Sequence, residues 1–279
     1  MIGSDGRDLI LSNRDGDDVS VYAGNVSDGH QLALLPDGVI AMSTEPLDGA
    51  LTLIHPSGSK ETLVANSYPY GVVVGPDGWI WFNRNPSGTN QPGGERDETL
   101  ISKVHPTTRE VRTVLEGGTD AAVRSINFSP DGTRLYMGTG DREEPYTGGQ
   151  VFYADLDADM NPGEIKTLTT GLGAVPGHSW MDTLVVDACG NLYITDYYTT
   201  AVTRVSPTGE QTELYNSESQ IRYPHGAVFG TGKHGWNEQA MYLPRPGYGV
   251  VPPSVIEMVV GVPGRDFAGT VINAPPTAP

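Results

Sequence analysis

The chain has one cysteine, Cys189, in 279 residues, so no intrachain disulfide can form. Cys189 lies in the apolar stretch from Val185 to Leu192, where a free cysteine reads as a small buried hydrophobe rather than an activated thiol. Basic residues are scarce: 17 Lys and Arg face 34 Asp and Glu, for a net charge of −17. A field of that sign repels phosphates, so no nucleic-acid partner is expected. No run approaches the roughly 18 apolar residues of a membrane span, so no membrane partner is expected either. The chain has no Gly-x-Ser-x-Gly elbow, which argues against a serine hydrolase. Gly138-Thr-Gly-Asp-Arg lacks the strand-then-helix context of a phosphate loop. Met1 to Asp8 is polar and carries no signal-peptide pattern. The compartment is left open: cytoplasmic by default, periplasmic or secreted if a leader was removed.

Turn formers, by contrast, are abundant, with 36 Gly and 22 Pro. Such punctuation suits many short strands joined by tight turns. One pattern recurs along the chain: an apolar run, a Pro-Asp-Gly-like turn, then a second apolar run. The copies are His30-Gln-Leu-Ala-Leu-Leu-Pro-Asp-Gly-Val-Ile-Ala-Met, Tyr70-Gly-Val-Val-Val-Gly-Pro-Asp-Gly-Trp-Ile-Trp-Phe, Arg124-Ser-Ile-Asn-Phe-Ser-Pro-Asp-Gly-Thr-Arg-Leu-Tyr, Asp182-Thr-Leu-Val-Val-Asp-Ala-Cys-Gly-Asn-Leu-Tyr-Ile and His225-Gly-Ala-Val-Phe-Gly. Each reads as a β-hairpin. The last reaches its second strand, Ala240-Met-Tyr-Leu, only after a longer loop.

A third strand and a shorter fourth follow in most copies, as in Leu53-Ile-His-Pro-Ser-Gly and Glu61-Thr-Leu-Val. Repeats starting near 30, 70, 124, 182 and 225 are spaced like propeller blades. Asp8-Leu-Ile-Leu-Ser and Val19-Ser-Val-Tyr match the second and third strands of a partial blade over residues 8–25. The expectation is an all-β fold: a single β-propeller domain over 1–279, with about six four-stranded blades around a central channel. Gly269-Thr-Val-Ile-Asn-Ala is a candidate closing strand, either for the partial blade or for the last repeat. A sandwich of the same strands is the alternative.

Ser125-Ile-Asn-Phe-Ser-Pro-Asp-Gly-Thr-Arg-Leu-Tyr and Met181-Asp-Thr-Leu-Val-Val-Asp-Ala-Cys-Gly-Asn-Leu-Tyr-Ile-Thr carry a family resemblance. On these the chain resembles the gluconolactonase and senescence-marker-protein family of six-bladed propellers, with diisopropylfluorophosphatase-like enzymes and, more distantly, strictosidine synthase. The resemblance implies a divalent cation in the channel, held by a Glu, then Asn, then Asp just before the inner strands. Asp182 matches the Asp. The Glu position is His30 here, and the Asn positions are Tyr70 and Arg124.

In an antiparallel hairpin the first strand starts where the second ends. One channel mouth should therefore collect a ring of His30, Tyr70, Arg124, Asp182 and His225. A second ring of Glu45, Asn83, Asp141, Asp196 and Arg245 should lie beside it. His30, Asp182 and His225 make a candidate metal site, with Zn²⁺ or Ca²⁺ as the cofactor. Water on such a metal is acidified enough to attack a carbonyl. Arg124 is placed to clamp a carboxylate or a developing oxyanion. Tyr70 is a candidate proton donor and His178 a candidate general base.

Each of these residues also has a structural reading, as a loop hydrogen-bond partner, a turn cap or a neutralising charge. His55 and His105 read as turn residues. His234, in a Gly-rich loop, is a candidate cover for the mouth. Asp155-Leu-Asp-Ala-Asp-Met-Asn-Pro-Gly-Glu reads as a solvated hairpin turn, with a structural Ca²⁺ as the sharper alternative. Three functions follow: a monomeric metal-dependent hydrolase of a small lactone or ester, a His-metal lyase similar to the amidating lyases, or a non-catalytic binding propeller.

Overall fold

The structure is a computed structural model that describes residues 2–4, 8–26, 29–44, 49–84, 100–117, 123–140, 148–173, 181–197, 199–216, 224, 226–245 and 254–265. His178 and His225 lie outside the described residues, as do Glu45, Asp141 and the candidate closing strand Gly269–Ala274.

The described residues form strands and turns, arranged in six antiparallel sheets. The first holds β1 (Ile2–Ser4), β2 (Leu9–Ser12) and β3 (Val19–Ala23). The second holds β4 (Gly29–Leu34), β5 (Ile40–Thr44), β6 (Leu51–Ile54) and β7 (Lys60–Val64). The third holds β8 (Val72–Val74), β9 (Ile80–Arg84), β10 (Leu100–Val104) and β11 (Val111–Glu116). The fourth holds β12 (Val123–Phe128), β13 (Arg134–Thr139), β14 (Gly149–Leu156) and β15 (Pro162–Leu172). The fifth holds β16 (Met181–Val186), β17 (Leu192–Asp196), β18 (Ala201–Val205) and β19 (Gln211–Asn216). The sixth holds β20 (Val228–Phe229), β21 (Ala240–Arg245) and β22 (Ser254–Val259).

Every sheet pairs its strands in chain order, and the sheets stand around a channel as the blades of a propeller. The partial blade differs from the expectation in one respect. Its β1 comes from the polar, Gly-containing start of the chain and pairs with β2, Ile2 opposite Leu11. Main-chain pairing needs no apolar run, so none announced this strand.

Apolar clusters glue successive sheets. Leu9 and Tyr22 of the first sheet pack with Ile40 and Met42 of the second. Leu53 and Val72 join the second to the third. Trp81 and Phe128 join the third to the fourth, with rings edge-to-face at 5.2 Å. Tyr136 and Leu184 join the fourth to the fifth, and Tyr193 and Phe229 the fifth to the sixth. Between the sixth sheet and the first, Arg14 Nη2 donates to Glu257 Oε2 at 2.8 Å.

The hairpins of the second, third and fifth sheets share one turn, and that of the fourth is one residue longer, with Ser129 N donating to Arg134 O at 2.9 Å. Leu35 N donates to Val39 O at 2.8 Å and Gly38 N to Leu35 O at 3.0 Å, with Gly38 at φ 84°. That is a three-residue loop ending in a left-handed residue, which glycine takes without a side-chain penalty. Asp37, Asp77 and Asp131 each accept from a backbone N–H two residues on, at 3.2 Å. In the fifth sheet the acid has moved to the start of the turn, where Asp187 Oδ1 accepts from Cys189 N and Asn191 N. Cys189 is exposed there, contrary to the expected burial, because it sits in the turn between β16 and β17 rather than in either strand.

Candidate functional site at the channel mouth

The strands β4, β8, β12 and β16 line the channel and all start at one mouth. The sequence places His30, Tyr70, Arg124 and Asp182 at these starts, and the structure brings the four together around Tyr70. The Tyr70 hydroxyl donates to Asp182 Oδ1 across the channel. The His30 ring lies 4.6 Å from the Tyr70 ring, centroid to centroid, tilted by 39°. The Arg124 guanidinium carbon lies 5.2 Å from the same ring, within cation–π range. Tyr70 and Asp182 are each 4% exposed, while His30 and Arg124 are half-buried. The mouth is thus layered: a buried phenol–carboxylate pair carries an imidazole and a guanidinium nearer solvent.

Polar side chains fix that geometry from sheet to sheet. Ser43 on β5 accepts from Gln31 N and donates to Tyr70 O, both at 2.9 Å. Asn83 on β9 accepts from Tyr70 N at 3.0 Å and donates to Val123 O at 2.8 Å. Ser125 Oγ on β12 accepts from Leu184 N at 2.9 Å, and Asn127 donates to Leu184 O at 3.0 Å. Gln31 reaches over the channel to Asp182 O at 2.8 Å. Apart from the bonds of Ser43 to Gln31 N and of Asn83 to Tyr70 N, which stay within a sheet, each ties a side chain of one sheet to the main chain of another, and such bonds are each worth about 1 kcal/mol net. Gly71 is needed here, since a Cβ on it would stand 2.9 Å from Arg124 O.

Asn83 therefore holds the backbone beneath Tyr70 rather than standing in a second reactive ring. Asp196, also expected in that ring, accepts from Thr199 N at 2.9 Å and is 5% exposed. Ser43, Gln31, Ser125 and Asn127 were not anticipated. Their signal was a polar residue inside a buried strand pattern, as Ser43 in the fully buried β5. His234 lies in the loop between β20 and β21, at the end of the channel opposite the mouth, so it does not cover the mouth. His105 accepts from Thr107 N and Thr108 N through Nδ1, as a turn residue. Asp157 accepts from Asp159 N and Asn161 N in the β14–β15 hairpin turn.

The opposite end of the channel is crossed by the segment after β22. Pro263 O accepts from Ala188 N, Arg265 N donates to Val186 O, and Gly264 bridges Asp187. A Cβ on Gly264 would stand 2.5 Å from Phe229, so only glycine passes there. Arg265 is 9% exposed and lies 6.0 Å from the Phe128 ring. Burial lowers its pKa to about 10.

This is a channel-site propeller whose mouth is a polar ring on buried strands. Residues 14–233 match the family model described as the SMP-30/gluconolactonase/LRE-like region. The chain belongs to that family. Among solved structures, a gluconolactonase from Xanthomonas campestris aligns with a TM-score of 0.67 at 17% identity, over 94% of this chain and 81% of that one. A luciferin-regenerating enzyme aligns with a TM-score of 0.71 at 14% identity, over 95% and 88%. Regucalcin from Agrobacterium tumefaciens, a calcium-binding protein, aligns with a TM-score of 0.66 at 17% identity, over 93% and 84%. At these identities the likeness is one of fold. Comparison with curated protein sequences finds no match.

The expected cation fits the described residues poorly. His30 and Asp182, the described members of the expected ligand set, both engage Tyr70. The described residues hold no group of three His, Cys, Asp or Glu that could share an ion. Arg124 brings a guanidinium to the same ring, and its positive charge would repel a dication held there. A phenol and a guanidinium occupy two of the four positions, and neither is a ligand for a hard or borderline dication at neutral pH.

Proposed function

We propose that the protein hydrolyses a small lactone or ester at the channel mouth. The observation that carries this reading is the gathering of His30, Arg124 and Asp182 on Tyr70, in a chain of the gluconolactonase-containing family. His30 takes a proton from the attacking water. Arg124 faces the carbonyl oxygen and stabilises the negative charge that develops as the water adds. The proton then passes from His30 to the departing alkoxide oxygen, so the ring opens or the ester splits and the imidazole ends the cycle neutral.

Tyr70 is the platform on which both groups rest, and Asp182 holds that platform by accepting its hydroxyl proton. The Tyr70 hydroxyl is thus committed to positioning rather than to proton donation. The ligand set His30, Asp182 and His225 has no part in this reading.

A panel of lactones and carboxylic esters, followed by proton release, tests it. Saturable turnover that falls in His30→Gln with an unchanged fold is the expected outcome. A panel without turnover, or turnover indifferent to His30→Gln, rejects the assignment.

A further inference from the structure

We infer that the channel mouth of this chain binds no divalent cation and that the Arg124 guanidinium supplies the positive charge there instead. The inference rests on the proposed hydrolysis only for what that charge does; the cation question stands on the chemistry of the described ring residues. Three features of the ring carry it.

Asp182, the one described carboxylate among the channel-lining ring residues, accepts the Tyr70 hydroxyl, so a cation bound to it would have to compete with a buried hydrogen bond. The Tyr70 backbone is fixed on both sides, N to Asn83 and O to Ser43, which anchors the point from which its hydroxyl reaches Asp182. Arg124 brings a permanent positive charge to the same ring, and arginine keeps that charge at any working pH.

A guanidinium also offers what a cation offers a carbonyl substrate: a fixed positive group aimed at one oxygen, with directed N–H donors in addition. The site then takes neutral or anionic oxygen compounds, and its chemistry does not depend on metal supply. In a chain with a net charge of −17, an arginine at the mouth gives an anionic or polar-oxygen ligand its local attraction.

The test uses the full chain stripped with a chelator. Ca²⁺, Mg²⁺ and Zn²⁺ are titrated separately by calorimetry, with melting temperature followed in parallel. Wild type, Asp182→Asn and His30→Gln are compared, the second variant guarding against misfolding of the first. The expected result is that no cation binds in a manner that depends on either residue, and that any lactone or ester turnover is the same before and after stripping. Binding that survives both substitutions lies elsewhere on the acidic surface and agrees with the inference. Stoichiometric binding lost in either folded variant overturns it, as does turnover abolished by stripping and restored by one cation. If wild type turns over no lactone or ester, the proposed function fails while the titrations still decide the cation question.

Discussion

The two ends of the channel treat the same hairpin repeat in opposite ways. At the turn end the copies agree: three Pro-Asp-Gly loops and one Asp-Ala-Cys-Gly loop each carry a glycine at positive φ whose N donates back to the residue that opens the turn, the fourth-sheet loop being one residue longer than the others. At the mouth the copies disagree: the equivalent position is His30, Tyr70, Arg124 or Asp182. The Asp bonds at the turn end are local, from a side chain to a backbone amide two or four residues on. Bonds at the mouth run between sheets, from Ser43 to Tyr70, from Asn83 to Val123 and from Tyr70 to Asp182. Where the repeats must all do one thing, they converge on the residues a tight turn demands. Where one ring must do several things, they diverge, and the divergence locates the chemistry.

That contrast predicts a clean division between stability and activity. Its strongest test is Asp187→Ala at the turn end. Asp187 is fully buried and accepts from Cys189 N, Asn191 N, Asn191 Nδ2 and the Tyr193 hydroxyl. Burial beside this carboxylate pushes the Tyr193 phenol well up. Removing the acceptor leaves several buried donors unmet, each costing about 1–3 kcal/mol. Chemical denaturation should show a loss of about 4 kcal/mol, with turnover per folded molecule unchanged. Arg124→Met at the mouth should do the reverse. Deleting an oxyanion donor lowers kcat by about 10²–10³, and a half-buried arginine replaced by a chain of similar length should leave the melting temperature nearly unmoved. Equal effects of both substitutions on both readouts would erase the distinction between the ends.

The same contrast explains what could be read from the chain. The hairpins were legible because Pro-Asp-Gly between apolar runs has one common structural meaning. The ring members on β4, β8, β12 and β16 were legible because antiparallel pairing fixes which residues start at the mouth. What Tyr70 does was not legible: which hydroxyl meets which carboxylate depends on the spacing of sheets 112 residues apart in the chain. Ser43 and Asn83 were misread or missed for the same reason, since a polar side chain that serves the next sheet's backbone looks like any polar residue at a strand end. The strand Ile2–Ser4 and the strap through Gly264 and Arg265 lack apolar periodicity altogether. They are held by main-chain bonds to β2 and to Val186 and Ala188, which leave little trace in composition.

A subtler probe stays within the mouth. Tyr70→Phe keeps the ring under His30 and Arg124 but removes the bond to Asp182. If Tyr70 is a platform, kcat should fall by about tenfold, one hydrogen bond's worth of positioning, and KM should rise little. Tyr70→Ala, which removes the platform itself, should cost far more. A Phe variant as impaired as the Ala variant would return Tyr70 to the role of proton donor.

The smallest expected effect is acid sensitivity at the turn end. Asp131 accepts from the Ser129 and Thr133 hydroxyls and from Thr133 N, and these bonds hold its carboxyl below the usual carboxylate range. A carboxyl whose pKa is lower folded than unfolded binds its proton more readily when unfolded. Its contribution is therefore complete above the ordinary aspartate value and is lost as pH falls through the lower, folded value. Because Asp131 is exposed, solvent screens the effect and keeps it small. Melting curves of wild type and Asp131→Asn should converge as pH falls through that window and separate above it, with the wild type the more stable. Curves that stay parallel across the window would mean that the turn's bonds, although repeated along the chain, do not depend on the charge of the acid.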